Sequence, residues 1–530
     1  MNVIFYLTGF FFFFWEIRNI LFLVNLWQIK EYRFDRLFSH LKETSQGKDI
    51  LFSALPIVKL IAILGFGFVI FNNFLLLPYQ LFIFFIFCLQ FLKIIKEIWE
   101  HTLKIPVLTF KALFITTSTL FIVSLLFFLP LIDKFAWILI IDKLVFLIIA
   151  FAVFFLSFPT NFYRGFQEER AIKKIRKHKN LLVIGVTGSY GKSSTKEYIA
   201  QILEKKFKVL KTKGTNNTLI GVTNTIISGL KDDTEIFVVE MGAYKKGEIN
   251  EICEIVKPKI GIITGINSQH LSLFGSLQNT MDAKYELINS LPSGGLAIFN
   301  GSNINSSKLY SKTKKKKIIY SSFDNKADIY SSDIQIEKSC VAFDVHAEGI
   351  DMALKANLIG KQNVENILPA AYIARYLGMN ITEIKKAVSK LKPLPKTMTK
   401  IKFSNGATLI DDAFNANPDA VLAVLDYMKI YNGKKILVMQ PMIELGKDAK
   451  KEHYRVALEI SKICDYLVLT NKNFYSSVSM GIKDGKGKCA VKIFSPGEIV
   501  DFVKSNLTPA SIAVFEGKET LKALSKLQSL

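Results

Sequence analysis

The distribution of phenylalanine constrains this chain more than any other feature. Of its 44 Phe, 30 lie before residue 161. They occur in apolar runs too long for the core of an ordinary soluble domain. A run of about 20 apolar residues is what an α-helix needs to cross a hydrocarbon layer of about 30 Å. Residues 51–71, 79–92 with their flanks, 112–132 and 136–158 meet that need, and residues 1–27 form a fifth run interrupted by Glu16 and Arg18. The start is not basic, there is no small-residue cleavage site, and further apolar runs follow, so a cleaved leader is not expected.

The charges between these runs set a direction. Lys30, Arg33, Arg36, Lys42 and Lys48 follow the first run, and Lys93, Lys96, Lys104 and Lys111 follow the third. Residues 72–78 carry no Lys or Arg, and the fourth turn carries only Lys134. Arg164, Arg170, Lys173, Lys174, Arg176, Lys177 and Lys179 follow the fifth. Because basic loops stay inside, five spans with the N-terminus outside place the remaining two-thirds of the chain in the cytoplasm, on a multi-pass cell-membrane domain in contact with lipid. Asp142 and Lys143 fall within the fifth run. They are expected at its outer edge, where Lys can reach water, and no string of ionisable residues suggests a relay.

The net charge of +23 comes from dispersed Lys and shows no nucleic-acid module, so no nucleic-acid partner is expected. Its densest run, residues 312–317, reads as a solvated turn. The five Cys are scattered without a CxxC pair, which argues against a zinc site or a disulfide framework.

From residue 181 short β-branched runs alternate with amphipathic stretches, the pattern of a parallel sheet covered by helices. "LLVIGV", "KVLKT", "EIFVVE", "KIGIIT" and "LAIF" form one series. "TLIDD", "KILVMQ", "YLVLT", "VKIF" and "SIAVF" form a second, after a Pro-containing segment at residues 391–399. Residues 321–353 read as a short-strand insertion. The expected organisation is an α-helical membrane domain (1–160), a basic cytoplasmic linker (161–180), then two α/β domains: a central P-loop, ATP-binding parallel-sheet domain (181–392) and a C-terminal Rossmann-like domain (393–530).

The sharpest motif is "IGVTGSYGKSSTKEYI", residues 184–199. A strand, a Gly-rich turn and a helix start aim backbone N–H groups at an anion. Thr187, Gly188, Ser189, Tyr190, Gly191, Lys192, Ser193 and Ser194 are therefore candidate nucleotide contacts. Lys192 would meet the β- and γ-phosphates, and a hydroxyl of Ser193 or Ser194 the Mg²⁺.

At this motif the sequence resembles the Mur ligase family, ATP-dependent amide-forming enzymes of cell-wall peptide assembly. Further segments match in order: "TKGTNNTLIGVTNTI", "VVEMGAYKKGEI", "IITGINSQHLSLFGSLQNTMDAKYELI", "GKQNVENILPAA", "LIDDAFNANPDA" and "MIELGKDAKKEH". The last two look most like the branch that adds D-alanyl-D-alanine to a UDP-muramyl tripeptide. The resemblance implies ATP, Mg²⁺ and a cell-wall peptide precursor, which the membrane spans leave either held in a different way or itself lipid-linked. It also implies attack of a substrate carboxylate on the γ-phosphate to give an acyl phosphate, which an amine then displaces. Carried over by residue, Glu240 and His270 would hold Mg²⁺, and Lys284 would be a carbamylated, metal-binding lysine. Asn363 and Asn366 would contact adenine, Asp412 the ribose. The chain departs from the family pattern at Tyr190, Gln362, Lys396-Thr397-Met398 and Phe414. Membrane spans also replace the domain that grips the UDP-sugar in soluble relatives. Other ligations on this fold, such as poly-γ-glutamate synthesis, a weakened scaffold and an ATP-driven transporter are the alternatives.

Overall fold

The computed structural model describes residues 2–529 except 44, 101, 130–131, 215, 268–270 and 415. The chain divides into two compact units, Met1–Gly165 and Phe166–Leu530.

Among the described residues, the regular structure of the first unit is all helical. Five helices are long and apolar enough to cross a membrane: Val3–Ile29, Gly47–Ile70, Phe74–Trp99, Phe110–Phe128 and Lys134–Lys177. Met1, Pro130 and Leu131, which fall in the expected runs, lie outside the described residues. Phe12, Ile20, Phe87, Ile115, Val145 and Ile149 pack the interior, while Phe71, Phe74, Phe110 and Phe121 face outward. An outward face this apolar exceeds what a monomeric soluble domain ordinarily exposes. Asp142, expected at the outer edge of its run, has partners inside the bundle. Its side chain is 7% exposed and turned into the bundle, where Lys59 Nζ lies 2.5 Å from Oδ1 and Trp15 Nε1 donates to the same oxygen at 2.9 Å. The partners come from helices distant in sequence, which a residue-by-residue reading of one run does not connect.

The fifth helix continues without a break through the basic segment expected as a linker, ending at Lys177. Its last turns belong to the second unit, where Ala171 is buried beside Leu181 and Val183 and Lys174 Nζ donates to the Ile227 carbonyl at 2.8 Å.

The second unit holds two sheets. Strands β1 (Leu182–Thr187), β2 (Val209–Lys211), β3 (Ile236–Glu240), β4 (Ile260–Ile263), β5 (Leu296–Asn300), β6 (Lys317–Ser321), β7 (Ile329–Ile336), β8 (Val341–Ala347) and β9 (Ile350–Ala356) form the first, in the order β2-β3-β1-β4-β5-β6-β7-β8-β9. It is parallel through β7 and antiparallel across β7-β8-β9. The strands expected as an insertion thus extend the main sheet. β1, β3 and β4 are almost fully buried, as parallel strands with both faces covered must be. Strands β10 (Thr399–Lys402), β11 (Thr408–Asp412), β12 (Lys435–Met439), β13 (Tyr466–Leu469), β14 (Ala490–Ile493) and β15 (Ile512–Glu516) form the second sheet, ordered β10-β11-β15-β12-β13-β14. Only β10 is antiparallel to its neighbour. It is the strand the sequence did not announce, because "TKIK" is short and half polar.

The lysine run at 312–317 is not merely solvated. Lys315 Nζ donates to the carbonyls of Ile288, Asn289 and Leu291, and Lys317 to those of Tyr310 and Thr313. Helix ends leave such carbonyls without intrahelical donors, and an ammonium supplies three.

Candidate functional site

The site grows from the carboxyl ends of neighbouring strands β3, β1 and β4, where α/β sheets bind ligands. β1 ends at Thr187, whose hydroxyl donates to the Met241 carbonyl at 2.8 Å. Gly188 (φ 152°) and Gly191 (φ 78°) then turn the chain into the helix Lys192–Leu203. A Cβ on Gly191 would sit 2.9 Å from Asn366 Oδ1, and one on Gly188 2.0 Å from Thr264 Oγ1. Only glycine lets the loop pass this close while adopting a positive φ. The Ser189 N–H donates to Gly265 O at 2.6 Å, and Lys192 Nζ donates to Ser189 O at 2.9 Å. Ser193 and Ser194 occupy the first turn of the helix.

Glu240, the last residue of β3, is 1% exposed. Asn217 Nδ2 donates to its Oε1 at 2.9 Å. Its Oε2 has no hydrogen-bond donor and lies 3.5 Å from Lys196 Nζ. Lys196 is itself fully buried and donates to the carbonyls of Thr212 and Gly214. Lys284, on the helix Leu277–Asn289, is 3% exposed. Burial, joined by the nearby Lys192 charge, lowers its ammonium pKa to about 7, against the pull of Glu248, Glu286 and Glu240. Burial also lowers the Lys192 pKa, and Glu240 opposes it. Lys192, Glu240 and Lys284 thus share one electrostatic neighbourhood. His270 lies outside the described residues, as do Thr215 and Asn415.

Asn363 and Asn366 open the helix Gln362–Tyr376. Asn366 Oδ1 accepts from Thr195 Oγ1 at 3.2 Å, against the phosphate-type loop. Asn363 is 6% exposed. It accepts from Tyr198 Oη at 2.7 Å and donates to the Ile359 carbonyl at 2.8 Å, so it pins its helix to the loop's helix. Asp412 ends β11, where its Oδ1 accepts from the Met398 N–H at 3.0 Å. It sits in register with Glu516 on β15. Burial lifts the Asp412 carboxyl to about 6 and the Glu516 carboxyl well above the ordinary range. Two facing carboxyls in a dry setting share a proton rather than both ionise.

The departures have definite structural places. The Tyr190 ring lies over Gly265, and its hydroxyl accepts from Asn303 Nδ2 at 3.3 Å. Phe414 N–H donates to Lys396 O at 3.0 Å. Lys396 and Phe414 line a cavity of about 300 Å³ together with Gly214, Leu394, Lys518 and Leu521. His453 is a core residue. Its Nε2 accepts from the Met442 N–H, its Nδ1 faces the Ala449 carbonyl, and its ring stacks on Phe474 at 4.3 Å. Asn417 caps the helix Pro418–Met428 by accepting from the Ala420 N–H at 3.1 Å. Asn267 Nδ2 donates to Asp419 of that helix at 2.6 Å, joining the two sheet domains.

Sequence reading missed Asn217, Lys196, Asn303 and Glu516. Asn217 and Lys196 stand inside quoted motifs and are recoverable there. Asn303 and Glu516 become visible only when strand ends meet.

The residues present fit a nucleotide and a divalent cation. The loop is a cradle that any Cβ would fill, and Glu240 offers a buried oxygen without a donor. Comparisons with known proteins agree. Residues 186–374 match the Mur ligase middle domain and residues 398–518 the Mur ligase glutamate ligase domain. The chain is 29% identical over 343 residues to a Bacillus subtilis UDP-N-acetylmuramoyl-tripeptide--D-alanyl-D-alanine ligase, covering 64% of this chain and 74% of the relative. It is 30% identical over 275 residues to the Escherichia coli protein of the same name, covering 52% of this chain and 61% of the relative. Among solved structures, MurF from Acinetobacter baumannii superposes with a TM-score of 0.62 at 24% identity, covering 69% of this chain and 80% of that one. MurF ligase from Thermotoga maritima in complex with ADP gives 0.62 at 22% identity, covering 69% and 83%. The two structural likenesses speak for the fold. With the two domain matches and the phosphate-type loop in place, the chain belongs to the Mur ligase family of ATP-dependent ligases.

Proposed function

We propose that this chain is a membrane-anchored, ATP-dependent peptide ligase that adds D-alanyl-D-alanine, or a similar amine, to a muramyl-peptide precursor at the cytoplasmic face. The observation that carries this reading is the convergence of Lys192, the donor-less Glu240 oxygen and the electrostatically softened Lys284 at one sheet edge. The substrate carboxylate takes the γ-phosphoryl group of ATP, releasing ADP. The amine then attacks the activated carbonyl, and inorganic phosphate leaves. The protein's work is positioning and charge neutralisation. Lys192 and the loop N–H groups hold phosphate oxygens. Ser193, Glu240 and His270 would hold Mg²⁺, which neutralises phosphate charge. Lys284 would join them as a carbamate, its free amine adding to carbon dioxide with loss of a proton to solvent. Asn363 and Asn366 shape the adenine side, and Asp412 receives the ribose. Lys396 and Lys518 offer ammonium groups to peptide carboxylates in the cavity between Gly214 and Phe414.

Within this reading residues 1–160 form the membrane domain, 161–180 a basic segment at the inner face, 181–392 the ATP-binding domain and 393–530 the C-terminal domain. The five apolar helices and their outward Phe support the membrane assignment. A helical membrane unit ahead of the catalytic domains favours an acceptor held at the bilayer, lipid-linked or not.

The deciding experiment purifies the whole chain in detergent. It follows phosphate release with ATP, Mg²⁺, UDP-muramyl tripeptide and D-alanyl-D-alanine, beside Lys192→Ala. Acceptor-dependent release with formation of the pentapeptide is expected. Stepwise glutamate addition would replace this reading with a poly-γ-glutamate-type ligase. ATP turnover without any amide product would remove ligation altogether.

A further inference from the structure

The ionisable residues inside the helical unit are not scattered. Glu16 on the first apolar helix, Lys59 on the second and Asp142 on the fifth meet in its interior, exposed by 0%, 2% and 7%. Lys59 Nζ bonds Asp142 Oδ1 and lies over the Phe87 ring of the third helix (4.4 Å to its centroid) and the Trp15 ring (5.2 Å). Asp142 Oδ1 also accepts from Trp15 Nε1. Its Oδ2 is 3.8 Å from Lys143 Nζ, which is one-third exposed. Three helices therefore build one polar cluster, with Lys59 and Asp142 as its matched pair.

Glu16 is the unmatched member. Its Oε2 accepts from Asn19 Nδ2 at 3.3 Å, and its Oε1 has no donor. The charged groups acting on it are Asp142, Lys59 and Lys143. Lys59 already bonds the aspartate, and Asp142 lies within hydrogen-bonding reach of Glu16 itself. The nearby Arg18 is taken by a bidentate contact with Glu97. The third and fourth helices, which also pack on the first, contribute Phe87 and no charged group acting on Glu16 among the described residues. A buried carboxylate with one long hydrogen bond, set against a second carboxylate, is strongly disfavoured in its charged form. A single proton removes both faults. It cancels the repulsion and turns one carboxylate oxygen into an O–H that can donate to Asp142.

We propose that Glu16 is a proton-binding site inside the helical unit, neutral and donating to Asp142 at neutral pH, with Lys59 balancing the aspartate. Release of that proton leaves a dry, unpaired carboxylate. Release therefore requires Lys59 or Lys143 to move onto Glu16, or the cluster to open to water. Protonation is tied to the packing of the first, second and fifth helices, which makes this unit more than an anchor. Ionisable residues facing a bundle interior are the usual mark of proton-handling segments. The inference rests on the membrane reading only for its consequence, because the burial belongs to the bundle itself.

The test is infrared spectroscopy of the full chain in lipid vesicles at neutral pH, comparing the parent with Glu16→Gln and Glu97→Gln. Differences are needed because Asp412 and Glu516 add acid signal of their own. A carboxylic-acid carbonyl band is expected in the parent, absent in Glu16→Gln and retained in Glu97→Gln. It should shift on transfer to heavy water. In Asp142→Asn the band is expected to vanish as well, because the freed Lys59 pairs with an ionised Glu16. A band unchanged in Glu16→Gln overturns the assignment, and one lost there but insensitive to heavy water overturns an exchanging site. Sedimentation with lipid reads the membrane assignment separately.

Discussion

Replacing Lys284 by Met tests the electrostatics of the catalytic edge directly. Met keeps the length and apolar stem and removes the ammonium. An ordinary lysine titrates near 10.5 and Lys284 near 7. At about 1.4 kcal/mol for each tenfold, that gap amounts to about 5 kcal/mol. The sign follows from proton counts. Between pH 7 and 10.5 the unfolded chain holds a proton on this lysine that the folded chain has released, so folding gains stability as pH rises through that window. Above 10.5 both states are neutral and the penalty is gone. Below 7 both are charged and the penalty is complete. Lys284→Met removes it, so the variant should exceed the parent in stability by up to about 5 kcal/mol near pH 6. The excess should shrink steadily and vanish near pH 10.5. All four Trp lie in residues 1–137, so unfolding of the sheet unit must be followed by far-ultraviolet circular dichroism. Urea titrations across this pH range, in buffer free of carbon dioxide, supply the numbers. A stability difference that stays constant with pH would refute the burial argument. With labelled bicarbonate the parent, and not the variant, should show a carbamate carbon resonance.

Lys192→Ala should lower acceptor-dependent phosphate release by at least about 100-fold, the loss typical of removing one charge-stabilising donor from an active site. Glu240→Gln should raise the Mg²⁺ concentration needed for half-maximal release, while the Asn217 contact keeps the fold intact. Glu516→Gln removes one member of the shared-proton pair. The parent should lose stability as pH rises from 3.8 to about 6, where burial keeps the folded Asp412 protonated after the unfolded one has ionised, and Glu516→Gln, with one buried carboxyl fewer, should lose less over rising pH in urea titrations. Gly191→Ala should destabilise the loop by about 1–2 kcal/mol, because its positive φ is foreign to a side chain, and should weaken nucleotide binding measured by calorimetry.

The sequence by itself determined the apolar helices, the alternation of strands and helices, and the phosphate-type loop. Each is encoded by neighbours in the chain: a run of Phe and Leu, a β-branched period, glycines at fixed offsets before Lys192. What it could not determine depends on which strand ends and helix faces meet. Asp142 read alone looks like an edge residue, and only the packed bundle brings it Lys59 and Glu16. Glu516 reads as the end of a short strand until register sets it against Asp412. Asn363 is a base contact by resemblance, and only the fold shows its amide tied to Tyr198 and Ile359. Lys284 is one Lys among many until burial strips its solvent. Local spacing fixes backbone shape, whereas the charge state of a side chain is set by everything within a few ångströms, and that is assembled only by the tertiary fold.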